Sequence, residues 1–258
     1  MAAETQYTPN TGMVTISSAN SNLDGTGTIS DAIITAASNG TFVKSITVKA
    51  ITDTTQGMVR IFATGGGPTR LLLEIEIPAV TKSGTRSAFE TTIPMNLIII
   101  SGVMLKASTE KAESFNVIVE AQDWEYYSTS VRSESTQYTA VNGCVVISTA
   151  NSNLDGSGSI STVYSSTNGN ILSVTLKAIQ NTTPGILRLF LFDGTNNKLF
   201  REIEVPAVTK SSIAPAFYHK IVFENGFAIK TGWGLRASTQ NAESFNVIAD
   251  AVDWSYPS

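Results

Sequence analysis

The chain of 258 residues contains one cysteine and one histidine, and only 15% of it is charged. The lone Cys144 excludes an intrachain disulfide framework and a thiolate zinc cluster. The lone His219 excludes any mechanism that needs two imidazoles. Charged residues ordinarily make up about 25% of a globular chain, so Ser, Thr and Asn must carry much of this surface. Lys and Arg number 17 against 21 Asp and Glu, a formal net charge of −4. No basic cluster tracks a phosphate backbone, so no nucleic-acid partner is expected. No apolar run approaches the roughly 20 residues that cross a bilayer; the longest lies around Leu97–Ile100, and no membrane partner is expected. The opening Met1-Ala-Ala-Glu-Thr-Gln has neither a basic nor an apolar stretch of the secretory type, so no signal segment is expected.

What the chain has in quantity is likeness to itself. Ala19-Asn-Ser-Asn-Leu-Asp-Gly25 recurs at 150–156, an offset of 131 residues. Glu74-Ile-Glu-Ile-Pro-Ala-Val-Thr-Lys82 recurs at 202–210 with one change, and Ala112-Glu-Ser-Phe-Asn-Val-Ile118 recurs at 242–248. Three blocks, 5–25, 49–82 and 102–126, carry 49 identities in 80 positions. Units this long are two copies of one fold rather than stacked solenoid repeats. The offset changes only within 26–48 and 83–101, which marks loops tolerant of insertion. The polar run Ser128–Ser135 separates the copies, so domains of 1–130 and 131–258 are expected, each large enough for its own core.

Each copy reads as β structure. Val43, Ile46 and Val48 alternate closely with polar residues within 41–51, and 171–179 repeats the pattern. Segments 58–62, 71–77, 89–93, 103–107 and 115–121 are rich in β-branched and aromatic residues. Gly65-Gly-Gly-Pro68 and Asp193-Gly-Thr-Asn196 read as hairpin turns; the first lacks the Gly-Lys-Ser/Thr ending of a phosphate loop. Only 28–37 hints at a helical period. The expected class is all-β, two tandem antiparallel β-sandwiches of jelly-roll type. The immunoglobulin alternative lacks its Cys, Trp, Cys pattern.

Four groups of residues could carry chemistry. Asn20-x-Asn22-x-Asp24-Gly25 and Asn151-x-Asn153-x-Asp155-Gly156 match the first half of a calcium loop. The twelfth position is Asp31 in one copy and Thr162 in the other, so the ligand count is poor and an Asx-rich turn is the plainer reading. Asp123-Trp124 and Asp253-Trp254 could place a ring beside a carboxylate for a sugar; the alternative is a Trp that covers the core with its N–H on a carbonyl. Glu74 with Glu76, and Glu202 with Glu204, sit two apart and share a face, as paired carboxylates of a glycoside hydrolase do; a solvated stripe is the plainer reading. His219 falls where the first copy has Thr91 or a near neighbour, so duplicated catalysis cannot depend on it, and Cys144 replaces Met13 in a stretch that suits a small buried hydrophobe. Asn39 and Asn181 head glycosylation sequons, incidental without a signal segment. Neither copy holds a recognisable catalytic set, and no cofactor is expected.

The run Thr11-Gly-x-Val-x-Ile-Ser-x-Ala-Asn-Ser-Asn-Leu-Asp-Gly25, followed by Glu74–Lys82 and Lys106-Ala-Ser-Thr-Glu-x-Ala-Glu-Ser-Phe-Asn-Val-Ile118, resembles small β-rich proteins of tailed bacteriophages of Bacteroidetes, including crAss-like phages. The resemblance covers most of each copy and transfers no site residues. It implies a non-catalytic virion component assembled in the host cytoplasm, a capsid auxiliary or decoration protein. Its partners would be the major capsid protein or other virion proteins, with a homo-oligomer, a trimer by preference. The rival expectation is a carbohydrate-binding or host-adhesion module.

Overall fold

The computed structural model describes residues 4–65, 67–127, 137–211 and 215–255. In chain order the strands are β1 (Glu4–Pro9), β2 (Gly12–Ile16), β3 (Ile34–Thr35), β4 (Thr41–Ala50), β5 (Gly57–Thr64), β6 (Arg70–Ile77), β7 (Glu90–Ile99), β8 (Met104–Thr109) and β9 (Phe115–Tyr127). They continue as β10 (Gln137–Ile147), β11 (Ser161–Ser165), β12 (Gly169–Ala178), β13 (Gly185–Phe192), β14 (Asn197–Val205), β15 (Tyr218–Ile229), β16 (Gly234–Thr239) and β17 (Phe245–Ser255). None of the described residues is helical; 28–37 is loop and the short β3. The chain divides into two units, Met1–Thr81 with Ala88–Glu134, and Lys82–Ser87 with Ser135–Ser258. The boundary expected at 130/131 lies outside the described residues.

In the first unit one sheet runs β1-β9-β4-β7, with β2 also on β9, and the other runs β3-β8-β5-β6. The second unit repeats this order as β10-β17-β12-β15 and β11-β16-β13-β14. All these pairings are antiparallel, and they nest. The first strand pairs the last, β3 pairs β8, β4 pairs β7 and β5 pairs β6. A long ribbon folded back on itself and rolled into two facing sheets has this order, which is that of a jelly roll and not of an immunoglobulin domain.

Alternation fixes which residues face inward. Val43, Ile46, Val48 and Ala50 of β4 meet Val117, Val119 and Ala121 of β9, and Val59, Ile61, Leu105 and Ala107 of the opposite sheet complete the core. Gly12 and Gly143 are matched across the copies for a steric reason. A Cβ there would collide with the carbonyl oxygen of Ile33 or Val163, so only glycine lets β2 and β10 pass so close to the crossing segment.

Candidate functional site

The Asx motifs form loops that satisfy themselves. Asn20 Nδ2 donates to the carbonyls of Thr26 and Thr28, both at 2.9 Å, and its Oδ1 accepts the Asn22 N–H at 3.0 Å. Asp24 Oδ1 accepts from the Thr26 N–H at 2.9 Å and the Thr26 hydroxyl at 2.6 Å. The second copy repeats each bond, with Asn151 on Ser157 and Ser159 and Asp155 on Ser157. An amide donor therefore sits where the loop carbonyls converge, the position a cation would need. Asn22 and Asn153 turn their amide nitrogens to the Thr26 and Ser157 hydroxyls. The hydroxyl bond to Thr26 or Ser157, then the backbone bond to the same residue, hold the Asp24 and Asp155 carboxyls below their ordinary value. Among the described residues no group of three or more His, Cys, Asp or Glu side chains is placed to hold a metal ion.

Beneath each loop lies an arginine that composition and spacing did not single out. Arg60 Nη1 donates to the Asn20 carbonyl at 3.2 Å and its Nε to Glu74 at 2.9 Å. Arg188 likewise reaches the Asn151 carbonyl at 3.1 Å and Glu202 at 3.1 Å. Burial lowers the Arg188 guanidinium from its ordinary value, and Glu202 opposes that shift. The signal was in the sequence: one Arg retained in both copies inside otherwise apolar strands, 58–62 and 186–190.

This arrangement splits the glutamate pairs. Ile75 and Ile77 do face the core and the glutamates do face out, but Glu74 is tied to Arg60. Glu76 instead lines an open groove of about 730 Å³ with Glu110, Met58, Ile77 and Pro78. In the second copy the residue matching Glu110 is Gln240.

The two Asp-Trp ends also divide. On β9, residues 117, 119 and 121 face inward, so Asp123 points between the sheets and Trp124 to the outer face. Asp123 accepts from Asn10 Nδ2 at 2.8 Å and from the Thr41 hydroxyl. Asp253 accepts from the Tyr164 hydroxyl and from Thr167 at 3.1 Å. Glycine at 169, where the first copy has Thr41, makes room for the Tyr164 hydroxyl, which a Cβ would strike. Burial, then the bond to Asp253, raises the Tyr164 phenol and keeps it a donor. Trp254 is buried and Trp124 half-buried; the expectation that each N–H rests on a carbonyl is corrected, since neither Trp124 Nε1 nor Trp254 Nε1, both buried, has a hydrogen-bond partner among the described residues.

The remaining candidates stand apart. His219 is exposed on β15, opposite Leu176, as Thr91 is opposite Val48. Cys144 is exposed on the sheet edge strand β10, not buried, because it lies on the outward side of that strand. Asn39 and Asn181 are exposed, and Asn181 Oδ1 accepts the Lys210 N–H at 3.0 Å.

Neither a protein-family model nor a curated protein matches the chain. Among solved structures it is similar to the STIV MCP, with a TM-score of 0.28 and 10% identity over 97% of this chain and 96% of that one. It is similar to a chain in the atomic structure of Sulfolobus Turreted Icosahedral Virus, at 0.27 and 11% over 98% and 90%. A third likeness is to the CBM22-1-CBM22-2 tandem domain from Paenibacillus barcinonensis Xyn10C, at 0.24 and 11% over 95% and 92%.

Proposed function

We propose that the chain is a non-catalytic structural protein of a virion, a capsid auxiliary or decoration protein of a tailed bacteriophage that works as a homo-oligomer, a trimer, on the capsid lattice. The observation that carries this reading is the use of the polar residues shared by the copies. In both units the Asx carboxylate, the arginine with its glutamate, and the inward Asp serve internal hydrogen bonds, as a scaffold requires. The motif resemblance points the same way, and paired jelly rolls offer two similar faces to repeated lattice sites. No cofactor enters this role. Light scattering and sedimentation with assembled capsids test it: a trimer that pellets with capsids is expected, and a strict monomer that stays in the supernatant overturns it.

A second reading has one observation in its favour. Tyr7, 48% exposed, lies directly opposite Trp124 on the outer face of the first unit, and such a pair can stack on a sugar ring. A glycan array on which Tyr7→Ala abolishes a wild-type signal would support a carbohydrate-binding module; a silent wild type removes that reading.

A further inference from the structure

On the outer face of the first sheet, four polar residues form one row across four strands. Thr15 of β2 is the register partner of Asn116 on β9, Asn116 of Lys49 on β4, and Lys49 of Glu90 on β7. Directly opposite residues share a face, with Cβ atoms about 4.5–5.5 Å apart. Lys49 is 0% exposed and Asn116 2%. Lys49 Nζ donates to the Ala88 carbonyl at 3.0 Å and lies 3.6 Å from Glu90 Oε2. The Thr15 hydroxyl donates to Asn116 Oδ1 at 2.8 Å.

We propose that this row is a site of autocatalytic cross-linking, in which Lys49 and Asn116 become joined by an isopeptide bond. The groups needed for acyl transfer from a carboxamide to an amine stand together there. Glu90 takes a proton from the Lys49 ammonium. The free amine turns from the Ala88 carbonyl and attacks Asn116 Cγ. The Thr15 hydroxyl, already on Oδ1, stabilises the oxyanion that forms. Glu90 then returns the proton to the departing Nδ2. The Nζ–Cγ bond forms, the Cγ–Nδ2 bond breaks, and the second proton shed by the attacking nitrogen passes through Glu90 to the departing ammonia, which leaves as ammonium, with no oxidant or reductant required. Burial keeps water from competing at Cγ.

The second unit supplies an internal control. Lys177 faces Asn246 in the same register and reaches the Ala216 carbonyl at 2.8 Å. The positions of Glu90 and Thr15 there hold Tyr218 and Val146, 58% and 54% exposed. Among the described residues that pair has no proton carrier and no donor to the carbonyl in register with it, and its surface is open, so it stays unlinked.

Intact-mass measurement of the purified full chain, followed by tryptic mapping, tests the proposal without any variant. The expected result is a chain one ammonia lighter than its sequence, with a branched peptide joining Lys49 to Asn116 and with Lys177 cleaved normally. Glu90→Gln is expected to retain the full mass, and Thr15→Val to slow the loss, with thermal unfolding confirming that each variant folds. Full mass in the wild type with trypsin cutting after Lys49 overturns the proposal. So does an ammonia loss that maps to a succinimide at Asn225-Gly226 instead of a branched peptide.

Discussion

Arg188 and Glu202 form a pair whose side chains are 5% and 2% exposed, whereas Glu74, the partner of Arg60, is 40% exposed. Truncating one member of a buried pair leaves the other charged and unsolvated. Arg188→Ala should therefore cost about 3–5 kcal/mol of stability, and Arg60→Ala only about 1.5–3 kcal/mol, the range for a lost bond to a charged group. Denaturant unfolding of the two variants checks the order. Gly169→Ala forces a methyl against the Tyr164 hydroxyl and Asp253, and an overpacked site of this kind costs about 1–3 kcal/mol. At this scale the sequence was only partly legible. Asp123 and Asp253 are visible as a repeated residue, yet their partners are Asn10 and Thr41 in one copy and Tyr164 and Thr167 in the other. No spacing rule connects such partners, because rolling the sheets brings them together. The burial expected of Cys144 fails for a similar reason: alternation assigns two faces to a strand but does not say that β10 lies at an edge.

Each Asx loop behaves as one element. Its turn character was legible from Asn, Asp and Gly at fixed spacing, while its role as a lid clamped by a strand arginine was not. Asn20→Asp would set an acceptor against the Thr26 and Thr28 carbonyls. We expect a lower unfolding midpoint for that variant, unrelieved by calcium; a calcium-dependent recovery above wild type would contradict the donor role of Asn20. The carboxyls of Asp24 and Asp155 lie below their ordinary value in the folded loops. A folded value below the unfolded one stabilises the loop above the ordinary carboxylate range, and that contribution is lost as pH falls through the folded value. Amide protection at Thr26 and Ser157 should fall in acid accordingly. Thr26→Val, which removes the hydroxyl donor, should return the Asp24 titration towards the ordinary value by NMR.

At the scale of the molecule, the all-β class was legible from alternating segments and turn residues, and the doubling from the repeated blocks. Strand order was not, since it depends on pairing between the ends of each copy. In each unit the first strand pairs the last. Contacts so distant in sequence slow folding, so refolding should fall in the millisecond-to-second range of non-local β topologies, a rate that stopped-flow fluorescence of the tryptophans would report. The same closed arrangement, with its shared acids and amides held by internal bonds, underlies the proposed role as a lattice-bound scaffold. Quantitative mass spectrometry of purified virions of the phage that the proposed role implies tests that role most directly. The protein is expected in fixed stoichiometry to the major capsid protein after density-gradient purification; its absence from such particles, with the protein recovered free in the lysate, would contradict that role.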